Sequence, residues 1–304
     1  MKISILTPTY NRAYILKNLY NSLIINSKTN NNFEWLIMDD GSTDNTESLI
    51  NSWIDENKID IKYYKKENQG KMSALNDLLQ YITGDIVLEV DSDDYITDNA
   101  LEIIRKDYEL LDKSKNVYGI IYPRKLIGSS KKIPNEYKDK IYSLFDIHFK
   151  LDLDFDMSIT FYADIRKKYK HELENGEKFV TEARMYHKMD KNYSGLLIKT
   201  DEIIVCEYQN DGYTKNIVKT FINSPYGYYS YFRELLSFNM NGVILKKRLY
   251  ILKHYILFSC LTNKSKKKCI EGAKGLNKLI VFLLVIPGYI KTRKMLKNLD
   301  KKLK

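Results

Sequence analysis

The tetrad Asp91-Ser92-Asp93-Asp94 follows directly on the apolar run Ile86-Val87-Leu88-Glu89-Val90. Carboxylates gathered at the end of a strand supply hard oxygen ligands, and Mg²⁺ is commonly held by one or two of them together with substrate phosphates. A cation held there would neutralise charge on a departing diphosphate. Read alone, the segment is better explained as a solvated acidic turn that caps the next helix.

Two further segments repeat the pattern of polar residues closing an apolar run. Leu6-Thr7-Pro8-Thr9-Tyr10-Asn11-Arg12 follows the first run. Pro8 fixes the chain direction and Tyr10 offers a ring on which a base can stack. The alternative is a strand-to-helix turn with Asn11 as N-cap. Trp35-Leu36-Ile37-Met38-Asp39-Asp40-Gly41-Ser42-Thr43-Asp44 ends the second run. A carboxylate at a strand tip accepts from the imide N–H of uracil, whereas cytosine has no proton at that ring nitrogen. The alternative here is a turn followed by a Ser/Thr/Asp helix cap.

The elements that must carry these residues alternate. Lys2–Leu6, Glu34–Met38, Ile61–Lys65, Asp85–Val90 and Val117–Tyr122 are short runs rich in Ile, Val and aromatics, as strands are. Between them Leu16, Leu19, Tyr20, Leu23 and Ile24 share one helical stripe, Leu75, Leu78, Leu79 and Ile82 a second, and Leu101, Ile103, Ile104, Tyr108 and Leu111 a third. Strands alternating with helices predict an α/β fold with a mainly parallel sheet, whose ligands bind beyond the carboxyl ends of the strands. The stretch from Pro123 to Gln209 is less regular, with a helix expected around Glu182–Met189 and a strand pair around Leu196–Ile198 and Ile203–Tyr208. After Tyr213 the pattern turns helical and basic.

Together the segments resemble the GT-A glycosyltransferases of family 2, which are inverting and nucleotide-sugar-dependent. The resemblance covers about Met1–Asp112, through Thr7-Pro8-Thr9-Tyr10-Asn11-Arg12, Asp39-Asp40-Gly41-Ser42-Thr43-Asp44, Asn68-Gln69-Gly70-Lys71 with Ala74 and Asn76, and Asp91-Ser92-Asp93-Asp94. Beyond Tyr122 it rests on Phe179-Val180-Thr181-Glu182 and on Glu207-Tyr208 with Asp211-Gly212. It implies a GT-A domain over residues 1–212, with a nucleotide-binding half (1–122) and an acceptor-side half (123–212), followed by a helical basic extension (213–304).

The resemblance also implies roles. Pro8 and Tyr10 border the base, Asp40 binds uracil and Asp39 is structural. Asn68 and Lys71 pass near the donor, Lys71 meeting phosphate or sugar oxygens, or else standing as a solvated charge at a helix start. Asp91 and Ser92 approach the ribose or sugar. Asp93, with Asp91, holds Mg²⁺ or Mn²⁺, while Asp94 caps a helix or supports its neighbours. The general base is Glu182, although Thr181-Glu182-Ala183 stands where many members carry Glu-Asp; a first-turn glutamate that stabilises the helix dipole is the ordinary alternative. Glu172, Glu174 and Glu177 read as solvated loop charges. The donor is expected to be a UDP-sugar, and the acceptor a glycan or lipid-linked glycan of a surface polysaccharide.

Composition bounds these readings. Of 304 residues, 44% are hydrophobic and 29% charged, which excludes a disordered chain or a bundle of membrane spans. Cys206, Cys260 and Cys269 have no metal-type spacing and suit a reducing compartment. The start runs straight into strand-like sequence without a signal-peptide layout, so a cytoplasmic protein is expected. The net charge of +10 is uneven: Val243–Lys304 holds 17 Lys/Arg against Glu271 and Asp300. The remaining residues hold 32 Lys/Arg against 37 Asp/Glu, so the basicity belongs to the tail and does not argue for nucleic-acid binding. The tail's apolar runs between lysines suit a helix lying on an anionic membrane surface, or a soluble appendage packed on the catalytic domain. Its longest run, Leu279–Ile286, is eight residues, against the roughly 20 that a membrane span needs.

Other sites are missing from the sequence. There is no Gly-x-Gly-x-x-Gly after the first strand, no Walker loop, no His-Glu-x-x-His and no Gly-x-Ser-x-Gly. His148, His171, His187 and His254 are isolated and read as surface or packing residues. Two rivals stay open: a sugar-nucleotide pyrophosphorylase, disfavoured by Thr7-Pro8-Thr9-Tyr10 where a glycine-rich loop belongs, and a non-catalytic membrane-associated scaffold derived from a transferase.

Overall fold

Strand β1 (Ile3–Thr9) is buried along its whole length, and its side chains alternate between two cores: Ile3 and Ile5 on one face, Leu6 on the other. That period of two is what a strand covered on both sides demands. The computed structural model describes residues 1–127, 132–153, 155–206 and 217–303, the side chains of residues 113 and 298–303 excepted. The expected Glu207-Tyr208 and Asp211-Gly212, and the expected domain boundary at 212, lie outside the described residues.

After β1 come α1 (Lys17–Ser27), β2 (Phe33–Asp39), α2 (Thr46–Glu56), β3 (Ile61–Lys65), α3 (Lys71–Leu78), β4 (Ile86–Glu89), β5 (Tyr95–Ile96) and α4 (Ala100–Leu110). Then follow β6 (Val117–Leu126), β7 (Ile141–Tyr142), α5 (Leu144–Phe149), β8 (Met157–Tyr162), α6 (Ala163–Arg166), α7 (Glu182–Met189), β9 (Gly195–Ile198) and β10 (Ile204–Cys206). The strand order is β3-β2-β1-β4-β8-β6-β10-β5, with β9 beside β6 and β7 beside β9. Strands β1 to β4 pair in parallel, as do β6 with β9 and β6 with β10. Strand β8 is antiparallel to both β4 and β6. The sheet is therefore mainly parallel with helices on both faces, as the alternation predicts.

Helices α1, α2 and α4 cover one face and α3, α5 and α7 the other. Helix α2 is an element that the apolar periodicity does not announce, because only Ile50 and Trp53 of its large apolar residues are buried. Trp53 stacks on Tyr20 at 4.3 Å between ring centroids, and the Trp35 Nε1–H donates to Thr7 Oγ1 at 2.9 Å. At the amino-end edge Glu34 is fully buried, and burial alone would raise its carboxyl. Hydrogen bonds from Lys62, Ser4 and Thr83 outweigh that and hold it down to about 2.

Two expectations for the middle of the chain are corrected. Strands β9 and β10 do not pair with each other: each lies beside β6, one along its first part and the other along its last. The expected division at 122/123 falls inside β6, which runs through it in one piece. Strand β8, in the stretch expected to be irregular, sits between β4 and β6 in the body of the sheet.

The chain beyond 217 forms α8 (Ile217–Asn223), α9 (Pro225–Leu235), α10 (Leu245–Leu261), α11 (Lys266–Glu271) and α12 (Gly275–Leu303). Their buried side chains form a third core that includes Phe145 and Phe149 of α5, so one side of the extension packs on the sheet domain. Among the described residues no helix is long and apolar enough to cross a membrane.

Candidate active site

Because β8 is antiparallel to both of its neighbours, β6 runs in the same direction as β1, β2 and β4. Their carboxyl ends share one edge, where β8 also begins. The order reverses between β1 and β4, which opens a crevice at that edge. A cleft of about 950 Å³ lies there. The structure brings all the sequence-predicted site residues to it: Pro8, Tyr10, Asp40, Asn68, Lys71, Asp91, Ser92, Asp93 and Glu182 all line it.

The loop after β1 is laced to the loop after β2. Asn11 adopts a left-handed backbone (φ 52°), and its Oδ1 accepts from the N–H groups of Thr43 and Asp44 at 2.8 and 3.3 Å. Its own N–H donates to Ser42 Oγ at 2.8 Å. Asn11 is therefore not a helix cap, which overturns that alternative; α1 starts six residues on, without a side-chain cap. Fixing this loop leaves the ring of Tyr10 47% exposed at the cleft.

The paired carboxylates after β2 divide their work. Asp39 is fully buried and accepts from Ser42 N–H and Tyr63 Oη–H, both at 2.7 Å, so it holds the turn. Asp40, which lines the cleft, accepts from the N–H groups of Gln69 and Gly70 at 2.9 and 2.7 Å, one on each carboxylate oxygen. Gly70 has φ +94°, and a Cβ there would run into the carbonyl oxygen of Lys178. No other residue fits that cradle without displacing Lys178. The Asn68 side chain and carbonyl are themselves held by Lys178 Nζ, at 2.7 and 3.0 Å.

The charged centre is built from chain ends that meet. Lys71, in the first turn of α3, places Nζ 2.7 Å from Asp91 Oδ1 and 2.9 Å from Glu182 Oε1. It is an ion-paired bridge, which overturns the solvated-charge alternative. Burial disfavours its ammonium, but Asp91 and then Glu182 outweigh that and raise its pKa. Glu182 opens α7, and Tyr186 Oη–H donates to it at 3.4 Å. Burial alone would raise its carboxyl; Lys71 first, then Arg124, bring it below the usual range, so it is ionised at neutral pH.

Asp94 accepts from Arg124 Nη1 at 2.8 Å, and Asp91 lies 4.0 Å from the same nitrogen. Asp94 is thus a supporting residue and not a cap, since Asn99 occupies the cap position of α4. Asp93 makes no ion pair with a described residue. Burial, then the neighbouring Asp91, push its carboxyl above the usual range, against the pull of Arg12 and Lys71. No group of three or more His, Cys, Asp or Glu side chains is placed to hold a metal by itself among the described residues.

Several residues escape sequence reasoning. Arg124 stands at the end of β6 and reaches the acidic cluster only because β8 spaces β6 from β4. Glu89, which the sequence places in an apolar run, lines the cleft and pairs with the fully buried Arg166 at 2.6 Å. His148 and Cys206 also line the cleft, whereas His171 and His187 are buried in the core.

The expectation that Glu172, Glu174 and Glu177 are solvated charges is corrected for Glu174 and Glu177, whereas Glu172 keeps a side chain 54% exposed. Glu172 and Glu174 pair with the buried Arg184 of α7 at 3.2 and 2.7 Å. Glu177 accepts from the N–H groups of Tyr226 and Gly227 in the first turn of α9, each at 2.7 Å. Loop acids thereby fix the helix that carries Glu182.

Comparison with known proteins gives the same architecture a lineage. A family model described as glycosyl transferase family 2 matches residues 4–173, more than half of the chain. The uncharacterized glycosyltransferase MG060 of Mycoplasma genitalium is 34% identical over 109 residues, 35% of this chain and 37% of that protein. The poly(ribitol-phosphate) beta-N-acetylglucosaminyltransferase TarS of Staphylococcus aureus is 32% identical over 102 residues, 34% of this chain and 18% of its own length. The matched segment thus spans well under half of these curated relatives. Among solved structures, S. aureus TarS 1–349 in complex with UDP-GlcNAc aligns with a TM-score of 0.65 at 18% identity, covering 98% of this chain and 92% of that one. The mannosyltransferase PcManGT of Pyrobaculum calidifontis, in complex with GDP-Man and Mn²⁺, aligns at 0.57 and 16% identity, covering 96% and 83%. At these identities the likeness establishes the fold, which is GT-A.

Proposed function

The chain belongs to glycosyl transferase family 2, and from that premise we propose that it is a metal-dependent, inverting transferase. It moves a sugar from a UDP-linked donor to a hydroxyl of a glycan or lipid-linked glycan, in surface-polysaccharide assembly. The observation that carries this reading is the convergence of Asp40, Asp93, the Lys71–Asp91 pair and Glu182, from four separate chain segments, on one cleft.

Each residue has a task in that reaction. Tyr10 stacks on the uracil, and the spare lone pairs of Asp40 accept its imide proton. Lys71 and Arg124 bring positive charge to the diphosphate end. Asp93, aided by Asp91, would hold a Mg²⁺ or Mn²⁺ ion, since both present the hard carboxylate oxygens that such ions take. The chemistry supplied by such an ion would be positive charge to offset that growing on the leaving diphosphate. Glu182, ionised and lining the same cleft, takes the proton from the attacking hydroxyl. Attack from the face opposite the diphosphate inverts the anomeric carbon. The proposal also sets the protein in the cytoplasm, its basic extension turned toward the inner face of an anionic membrane.

Titration calorimetry with UDP, with and without Mn²⁺, tests the donor site, and a screen of nucleotide sugars for metal-dependent hydrolysis follows. Metal-dependent UDP binding that Asp93→Ala abolishes and Glu182→Gln spares is expected, with transfer lost in both variants. A wild-type chain that binds no UDP in a metal-dependent way would overturn the proposal in favour of a non-catalytic scaffold.

A further inference from the structure

Helix α12 has two apolar faces. Val281, Val285 and Tyr289 are buried in the C-terminal core, and Gly288 lies so close to α10 that a Cβ there would meet Ile256. On the other side Leu276, Leu279, Phe282, Leu283, Ile286 and Ile290 recur at spacings of three and four, and each is more than half exposed. Solvated helix faces are normally polar, so an exposed stripe along four turns has a cost in water and calls for a covering surface.

Charge decides which surface. Between Gly272 and Leu299 the chain has no acidic residue, while Lys274, Lys278, Lys291, Arg293 and Lys294 stand exposed beside or beyond the stripe. Helices that pair through such a stripe align opposite charges along its flanks. Two copies of α12 would instead set lysines against lysines. A surface of negative potential with an apolar interior satisfies both features at once, since it takes the aliphatic side chains and draws the flanking cations. Since no described helix can cross a bilayer, the contact is one of lying on it.

We infer that the outward face of α12, from Leu276 to Ile290, seats in the headgroup–acyl boundary of an anionic lipid bilayer. This rests on the membrane-apposed part of the proposed function and assigns it to one helix face, leaving α10 and α11 as support.

The test is co-sedimentation of the full chain with vesicles of pure phosphatidylcholine and of phosphatidylcholine with phosphatidylglycerol. Wild type is expected to bind the anionic vesicles selectively, and Leu283→Glu with Ile286→Glu to weaken that binding about tenfold or more, since carboxylates then face a negative surface. Both positions are exposed, so UDP binding and the melting temperature should stay as in wild type. As a second readout, Phe282→Trp should show a blue-shifted emission with anionic vesicles only. Wild type that ignores anionic vesicles sinks the membrane reading as a whole. Wild type that binds while the double variant binds equally, with no shift at residue 282, refutes this face and leaves the broader reading standing. A dimer in solution that the double variant dissociates makes a second copy the occupant and overturns the inference.

Discussion

Replacing Lys71 by methionine keeps most of the side-chain volume and removes the cation that bridges Asp91 and Glu182. At the 2.9 Å separation from Glu182, Coulomb's law with an effective dielectric near 20 gives an upper bound of about 6 kcal/mol. The Glu182 side chain is 34% exposed, so solvent screening reduces this to about 1–3 kcal/mol. Without that cation the Glu182 carboxyl rises from its depressed position. The sign follows from its lowered pKa in the folded chain. Such a group contributes stability that is fully present above the ordinary carboxylate range and is lost as pH falls through the depressed value. The melting-temperature gap between wild type and Lys71→Met should therefore be several degrees at neutral pH and narrow in acid. The acid limb of the transfer rate should move upward, because Glu182 then holds its proton to higher pH. Thermal melts between pH 4 and pH 8, run also in a Glu182→Gln background, measure the stability gap, and the pH profile of sugar transfer measures the limb. A gap that is the same at both ends of that range, or undiminished by Glu182→Gln, refutes the electrostatic account of the bridge.

Gly70→Ala puts a Cβ against the Lys178 carbonyl at a positive φ, which should cost about 2–4 kcal/mol and weaken UDP binding, because the two N–H groups on Asp40 move with it. Chemical denaturation and calorimetry read the two effects, and an unchanged midpoint would contradict the cradle. Glu177→Ala strips the N–H cap from α9 and should lower stability by about 1–2 kcal/mol while leaving UDP affinity unchanged; equal loss of both would tie that cap to the donor site.

The legible parts of the site share one property. Asp40, Asp91 and Asp93 close apolar runs, where a core strand has no use for charge, and Glu182 opens a helical pattern. Glu172, Glu174 and Glu177 are illegible because their own neighbourhood is polar, while Glu177's partners, Tyr226 and Gly227, arrive from about fifty residues away. Arg184 lies closer in sequence but becomes a partner to Glu172 and Glu174 only once α7 is docked. The pattern of the basic tail allows either a packed or a membrane-facing helix, and α12 is built with a buried face and an exposed apolar one together.

By itself the amino-acid order determined the alternation of strands and helices, the edge on which polar residues collect, and the identity of the carboxylates there. These depend on local periodicity and on which residues a covered strand tolerates. Only the tertiary structure decided that β8 inserts antiparallel between β4 and β6. That insertion brings Arg124 to Asp94, while the docking of α3 and α7 joins Asp91 and Glu182 through Lys71. Such contacts join residues 20 to 111 positions apart. No local pattern encodes them, because they follow from how whole elements dock to bury their apolar faces.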